Sequence, residues 1–392
     1  MFRVRHWLVL SLFGLSNPAV LLAEPVPSEG LSVSVKAALE RAGENRKQLE
    51  SALERVRIEE REGLLFLIEH MPEPDLKSLS ADYLIENVEY SYRAWRESPW
   101  KKQVSKELFL NNILPYANVS ERRDRWRKDF YEKCMPLVKG AKTPGRAAVL
   151  LNQKLFPLVK VKYSTKRRRA DQGPLESIEI GLASCTGLSI LLIDACRAVG
   201  VPARFVGVPL WADRSGNHSW VEVWDERKWH FTGAAEPAGD LLDKAWFTGR
   251  ASKAQRDQRR HAIYAVSYKK TPLQFPMVWD RGFRGGIRGV NVTDRYAGKA
   301  TELPAGTVRV LFRALDGGNR CSAHVAVKDA KGNLVFEGKT KDEGFDANDH
   351  TVAPLKLDGS YKIEIESDGR KVTKPLKVAK EGQLVTVKFP EA

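Results

Sequence analysis

The segment Gly181-Leu-Ala-Ser-Cys185-Thr-Gly-Leu-Ser189 places a cysteine directly before an amphipathic helix. Residues 188–199 repeat apolar side chains at helical spacing on one face and carry charged ones on the other. Gly200 favours a left-handed turn after the last helical residue, and Pro202 blocks continuation. Cys185 should therefore lie at or just before the first helical turn. There the free N–H groups and the helix dipole stabilise a thiolate, and the same donors can stabilise an oxyanion beside the sulfur.

Two predicted strands follow this helix and carry a histidine and an acid. The stretch Gly216-Asn-His218-Ser-Trp-Val-Glu-Val-Trp224 alternates as a strand does, with His218 on the face of the tryptophans. A turn leads into a second strand, Lys228-Trp-His-Phe-Thr-Gly-Ala-Ala-Glu236-Pro237. A cysteine at a helix start, a histidine on a strand and an acid next to it are the groups that thiol acyl chemistry requires.

The order Cys185, His218, Glu236, together with Val201-Pro-Ala-Arg-Phe205 and His218-Ser-Trp-Val-Glu-Val, resembles the transglutaminase-like superfamily. The resemblance covers roughly residues 145–250. It implies a papain-like arrangement, in which a helix carrying the cysteine packs on an antiparallel sheet carrying the histidine and the acid. It also implies a thioester intermediate on Cys185 and no cofactor or metal.

One position departs from the family pattern. The family carries an aspartate about four residues after the tryptophan that opens the third element, and here Gly233 occupies that position. Three alternatives follow: Glu236 orients His218, the site is a Cys185–His218 dyad, or the site is not catalytic. Gln153, on the preceding helix, is a candidate oxyanion donor, although it could equally face solvent. The acidic loop Asp346-Ala-Asn-Asp349 is too sparse in ligands for a calcium loop.

The pattern along the chain predicts an α+β protein of several parts. Residues 24–143 have helical periodicity, and residues 144–268 form the transglutaminase-like core. A connection rich in Pro, Gly and Arg covers residues 269–289. Residues 290–392 alternate in short runs separated by turn signals, which predicts an all-β sandwich. We expect this sandwich to be separable from the intrinsic thiol chemistry.

Residues 1–23 have the pattern of a signal peptide, with a basic start, a short apolar run and a small residue at Ala23. We therefore expect an exported protein, periplasmic or secreted. The net charge of +15 favours an anionic cell-envelope surface as a partner. Nucleic acid is a poor candidate, because no nucleic-acid-binding module is recognisable. Four cysteines without metal-ligand spacing do not predict a disulfide scaffold or a zinc site.

These patterns predict a cysteine-dependent amide hydrolase or acyltransferase that acts on carboxamide or peptide bonds of a peptide or protein. The rival hypothesis is an inactive transglutaminase-like domain that serves as a protein- or carbohydrate-binding module. A low thiol pKa at Cys185 would favour the enzyme.

Overall fold

The computed structural model describes residues 30–280, 282, 286–298 and 303–390. The predicted signal peptide lies outside the described residues. The N-terminal region is helical, and serine side chains cap several of its helices; the Ser80 hydroxyl, for example, accepts from the Tyr83 N–H. Its helices are α1 (Val33–Arg41), α2 (Arg46–Arg55), α3 (Arg61–His70), α4 (Glu73–Leu76), α5 (Ala81–Glu97), α6 (Lys106–Asn112) and α7 (Arg127–Cys134).

The next part of the chain joins helices to an antiparallel sheet. Its helices are α8 (Pro144–Val159), α9 (Pro174–Ile180), α10 (Cys185–Ala198) and the short α11 (Thr248–Ala251). Two short parallel strands, β1 (Lys162–Tyr163) and β2 (Leu182–Ala183), precede α10. The main sheet has the order β5-β4-β3-β6-β7 and contains β3 (Ala203–Val208), β4 (His218–Asp225), β5 (Lys228–Thr232), β6 (Tyr264–Ser267) and β7 (Arg288–Asn291).

Alternation along β3 and β4 gives this sheet two apolar faces. Phe205, Val221 and Val223 face the helices and join one core that extends into the N-terminal region. Trp220 and Val206 belong to a second core on the opposite face. The helix α10 is apolar on nearly all sides and buried, because it lies between the sheet and the N-terminal helices. The predicted helix and the antiparallel sheet next to it are thus present.

The C-terminal part is a β-sandwich. One sheet has the order β11-β10-β13-β14 and the other the order β12-β8-β15, with β9 beside β8. Alternating residues such as Phe312, Ile363 and Ile365 fill the core between them. The strands are β8 (Thr307–Asp316), β9 (Asn319–Cys321), β10 (His324–Lys328), β11 (Leu334–Lys339), β12 (Thr351–Lys356), β13 (Ser360–Ser367), β14 (Arg370–Lys377) and β15 (Gln383–Lys388).

The central sheet continues beyond the predicted end of the core at residue 268. Strand β7 pairs with β6 in antiparallel register, and it spans the predicted boundary between the connection and the sandwich. Farther on, the Tyr296 hydroxyl donates to Glu222 in β4 at 2.8 Å. The chain therefore leaves the central sheet after β7 and stays in contact with it as far as Tyr296. A sequence pattern of short strands does not distinguish a strand added at the edge of one sheet from the first strand of the next sheet.

The helices of the described part of the chain include none that is both long and apolar enough to cross a membrane.

Candidate active site

Cys185 is the first residue of α10, and the residue before it caps the helix. The Ser184 hydroxyl accepts from the backbone N–H groups of Thr186 at 3.1 Å and Gly187 at 3.2 Å. The same hydroxyl donates to the Ala170 carbonyl at 2.6 Å, which fixes its orientation. The cap holds the first turn and leaves the backbone N–H of Cys185 at a position with no intrahelical acceptor.

His218 opens β4 and is enclosed by aromatic rings. Only 2% of its side chain is exposed. Its ring lies 4.8 Å from the ring of Trp246 and 4.9 Å from that of Phe247, measured between centroids. A hydrogen bond of 3.2 Å between the Thr186 and Ser219 hydroxyls ties the start of α10 to the start of β4. The cysteine and the histidine therefore meet where the helix and the strand begin.

The acid beside His218 comes from the sandwich. Asp346 lies in the loop between β11 and β12, and its Oδ2 is 3.5 Å from His218 Nδ1. The thiol, one imidazole nitrogen and one carboxylate oxygen of Cys185, His218 and Asp346 all lie within 4.8 Å of one another. The 3.5 Å contact is longer than an ordinary hydrogen bond, which is common for catalytic pairs without substrate.

Sequence analysis did not identify Asp346 as a site residue. Its only sequence signal is an acidic loop between two strands, far along the chain from His218. Such loops are common on sandwich surfaces, and local spacing does not reveal which one folds back onto another domain. The contact is a product of long-range packing.

The loop that carries Asp346 is held on both sides. Within the sandwich, Asp346 Oδ1 accepts from the Asn348 N–H at 2.8 Å, and the Arg320 guanidinium donates to the Asp346 carbonyl at 2.9 Å. Toward the core, the Ala347 N–H donates to the Tyr163 hydroxyl oxygen at 3.0 Å. Arg250 Nη1 donates to the Asn348 carbonyl at 2.8 Å. These bonds leave the loop little freedom to turn Asp346 away from His218.

Glu236, the acid predicted from the sequence, has a different partner. Its Oε2 accepts from Trp246 Nε1 at 2.8 Å. A side chain at Gly233 would begin 2.5 Å from the same Oε2, so the Glu236 carboxyl occupies the space of the missing aspartate. Trp246 lies between this carboxyl and His218, whose ring it contacts. In this structure the acid that contacts the His218 ring is Asp346.

Burial and neighbouring charges shift the pKa values of Cys185 and Asp346 in opposite directions. Burial and the nearby Asp346 carboxylate raise the pKa of the Cys185 thiol, whereas the N–H groups of Ser219 and Thr186 lower it. Burial alone would raise the pKa of Asp346, but the charge and hydrogen bonding of His218 bring it below its usual value. The low pKa expected for the Cys185 thiol from its place at the helix start is therefore not found. A lone thiolate is disfavoured here, and a thiolate paired with an imidazolium is the charged form that Asp346 supports.

Two other acids near the site carry raised pKa values. Burial and the charges of Asp346 and Asp349 raise the pKa of Glu236 well above its usual range. Burial raises the pKa of Asp349 to about 6, although Lys341 opposes this effect. The two carboxyls nearest the site thus have pKa values shifted in opposite directions, upward at Glu236 and downward at Asp346.

The side-chain amide of Gln153 is engaged by a loop and does not face the thiol as a free donor. Its amide donates to the Gly239 carbonyl at 2.9 Å and to Asp240 Oδ1 at 3.1 Å. It instead lines a groove of about 560 Å³ that leads along the start of α10. The groove joins the core to the sandwich loop, and its other walls include Phe156, Tyr163, Leu188, Glu236 and Phe345.

A thiol, an imidazole and a carboxylate are also side chains that bind zinc. A closed structural zinc site takes four protein ligands, and the described residues bring three together at this position. The hydrogen bonds of the helix start fit a nucleophilic thiol.

Comparison with known proteins concerns the core of the chain. Residues 132–233 match the family model of the transglutaminase-like superfamily. No curated protein shows significant similarity to the chain.

Several solved structures are similar to parts of the chain. A candidate cysteine protease from Cytophaga hutchinsonii is 13% identical, with a TM-score of 0.25, over 42% of this chain and 58% of that one. The Bacillus anthracis TIE protein is 11% identical, with a TM-score of 0.18, over 48% and 30%. Red sea bream transglutaminase is 9% identical, with a TM-score of 0.22, over 75% and 59%.

The chain thus spans between 30% and 59% of the length of these three structures. The family match ends at Gly233, so it includes Cys185 and His218 but neither Glu236 nor Asp346. The α+β core around Cys185 and His218, between a helical N-terminal region and a β-sandwich, is a transglutaminase-like domain.

Proposed function

We propose that the chain is a cysteine-dependent amide hydrolase or acyltransferase that forms a thioester on Cys185. The observation that supports it best is the cluster of Cys185, His218 and Asp346 polar atoms within 4.8 Å at the start of a capped helix. A nucleophile, a base and an acid in contact are the arrangement used for acyl transfer by thiols.

The mechanism follows from these groups. His218 accepts the proton of the Cys185 thiol, and the thiolate attacks the carbonyl carbon of a carboxamide or peptide bond. The backbone N–H of Cys185 can donate to the oxyanion that forms. Cleavage of the C–N bond releases an amine, which takes its proton from the His218 imidazolium. Water or a second amine, deprotonated by His218, then attacks the thioester and returns Cys185 to the thiol.

The groove that passes Leu188, three residues after Cys185 in α10, supports a peptide or protein substrate. It is wide enough for a side chain and a stretch of backbone, and Leu188 and Phe156 give it an apolar wall. Lys160 and Lys162 also line it, which favours substrates without positive charge at that position.

We infer that the protein acts outside the cytosol, on the pattern of residues 1–23. The net charge of +15 supports contact with an anionic envelope surface. Expression of the full chain with and without residues 1–23, followed by cell fractionation, tests this. Export only in the presence of the segment is expected, and equal retention of both chains in the cytosol would contradict it.

Incubation of the full chain with a glutamine peptide and a labelled primary amine tests the enzymatic proposal. Ammonia release alone indicates hydrolysis, and release with incorporation of the label indicates transfer. Cys185→Ala and His218→Ala should each reduce turnover by at least about 10³-fold. Cys321→Ser is the control, because Cys321 lies in β9 of the sandwich and its side chain is partly exposed.

Full turnover in Cys185→Ala would overturn the proposal. Absence of turnover with glutamine and peptide-bond substrates, together with a Cys185 no more reactive than Cys321, would also overturn it and favour the inactive binding module.

A further inference from the structure

We propose that Asp346 of the C-terminal sandwich is the positioning carboxylate of His218, so that the catalytic site is complete only when the sandwich lies against the core. The inference rests on the proposed thiol chemistry for its consequence in catalysis. The pairing of Asp346 with His218 can be tested without it.

The first argument is burial. The side chains of His218 and Asp346 are 2% and 3% exposed, and they contact each other at 3.5 Å. A buried carboxylate is costly unless a charge or hydrogen bonds compensate it. The Asn348 N–H satisfies Asp346 Oδ1, which leaves Oδ2 for the imidazole. The ionised form of Asp346 therefore depends on His218.

The second argument is that the other acids near the sheet are engaged elsewhere. Asp225 Oδ2 accepts from the Thr143 hydroxyl at 3.0 Å. Asp243 pairs with His230 at 2.7 Å, and Asp240 pairs with Arg146 at 2.6 Å. Glu236 accepts from Trp246 and carries a raised pKa. None of these four has an ion-pair or hydrogen-bond contact with His218 in the described structure.

The third argument is that the loop is built to reach the core. Its backbone accepts from Arg250 and donates to Tyr163, both in the transglutaminase-like domain. Beyond the loop, Lys253 pairs with Glu381 of the sandwich at 2.7 Å. Gly216, just before β4, has Asn348 of the loop 3.3 Å from where a side chain would begin. The contact thus spans several residues on each side and includes the strand that carries His218.

A carboxylate at this place has two opposite effects on the thiol. Its charge repels a thiolate, which raises the pKa of Cys185. It also attracts the imidazolium and fixes the ring, which favours transfer of the proton from sulfur to His218. The imidazole lies 3.5 Å from the carboxylate in a buried site, where opposite charges attract each other strongly, so the second effect should prevail. When the charge of Asp346 is removed, the first effect predicts a more reactive thiol and the second a less reactive one.

The test compares the full-length Asp346→Asn, Asp346→Glu and Asp349→Asn chains by the rate of Cys185 alkylation with iodoacetamide against pH. Asp349 is the matched control, because it is a buried acid in the same loop that acts on His218 through its charge but has no ion-pair or hydrogen-bond contact with the ring in the described structure. Asp346→Asn should slow alkylation at pH 7 by roughly tenfold and move the rise of the rate about one pH unit upward. Asp346→Glu should recover part of the rate, and Asp349→Asn should retain the wild-type profile.

A downward shift or a faster reaction in Asp346→Asn would show that Asp346 acts only as a repelling charge, and the proposal would be wrong. Ring ¹⁵N chemical shifts of His218 give a second measure that needs no reactive thiol. Wild type should carry the proton on Nδ1, and Asp346→Asn should give a mixture of tautomers. Equal shifts in both chains would overturn the pairing, whereas a tautomer change without selective Cys185 reactivity would uphold the pairing and contradict the enzymatic function.

Discussion

Glu236 and Asp346 are two acids near one histidine, and their surroundings shift their pKa values in opposite directions. Glu236 has a raised pKa and accepts from an indole N–H, whereas Asp346 has a lowered pKa and contacts the imidazole. An uncharged carboxyl is a weak partner for an imidazolium. The difference in pKa and in hydrogen-bond partner indicates that Glu236 is a wall residue of the groove and that Asp346 is the partner of His218.

We predict that Glu236→Gln changes turnover of a glutamine peptide by less than about threefold. The amide oxygen can still accept from Trp246 Nε1, and a protonated carboxyl and an amide are close in shape and charge. Steady-state kcat/KM is the measurement, with Asp346→Asn assayed in parallel. A loss of 100-fold or more in Glu236→Gln would return the orienting role to Glu236.

For individual site residues, the sequence predicted the position only where that position depends on neighbouring residues in the chain. Cys185 lies at the helix start because a capping serine, a small-residue turn and an apolar face follow each other in the chain. The amide of Gln153 is engaged by a loop residue, and Asp346 arrives from another domain. Neither fact has a local signature, because both depend on how distant segments pack.

The helix α10 illustrates what the pattern of one element predicts. Its start and end agree with the sequence to within a residue. Gly200 takes φ +77°, and the Val201 N–H donates to the Cys196 carbonyl at 2.9 Å. The Trp100 indole donates to the Gly200 carbonyl at 2.7 Å, which attaches the helix end to the N-terminal region. Gly200, which the sequence predicted to end the helix, thus also makes a tertiary contact through its carbonyl group.

Gly200→Ala should lower the free energy of unfolding by about 2–4 kcal/mol. The left-handed conformation costs a non-glycine residue about 1–2 kcal/mol, and the new methyl group would approach the Ala94 carbonyl oxygen to 2.6 Å. Urea unfolding followed by tryptophan fluorescence measures the change. Gly43→Ala is the control, because Gly43 has φ +58° and open space around it. Equal losses in the two variants would mean that the contact with Ala94 is unimportant.

The whole molecule differs from the sequence-based expectation in how its domains cooperate. Alternating strands predicted the sandwich, and its separate core agrees with that prediction. The expectation that the sandwich can be removed without effect on the thiol does not follow from the structure, because Asp346 contacts His218. Strand alternation reports which residues are buried within a sheet and gives no information about what a loop touches.

Acid should weaken the association of sandwich and core through His350. This residue lines a cavity of about 310 Å³ between the two domains, near Arg250. Burial and the charges of Arg250, Arg320 and Arg313 lower its pKa to about 4, against an unfolded value of 6.5. Between these values the unfolded chain binds the proton and the folded chain does not, so stability falls as pH decreases from 6.5 to 4.

The measurement is the difference in unfolding free energy between wild type and His350→Gln across pH 4 to 7. Asp349, with its pKa raised to about 6, contributes the opposite dependence, but it is present in both chains and cancels. The wild type should lose more stability on acidification than the variant. Parallel curves would show that His350 does not couple pH to docking.

The most direct test of the account is the rate at which each cysteine of the full-length protein reacts with iodoacetamide at pH 7. Cys134 and Cys196 are buried, and Cys321 is partly exposed, so Cys321 is the informative comparison. Peptide mass spectrometry over time measures all four. The account predicts that Cys185 reacts at least about tenfold faster than Cys321 and that His218→Ala removes this advantage. A Cys185 that reacts no faster than Cys321, or that keeps its rate without His218, would contradict it.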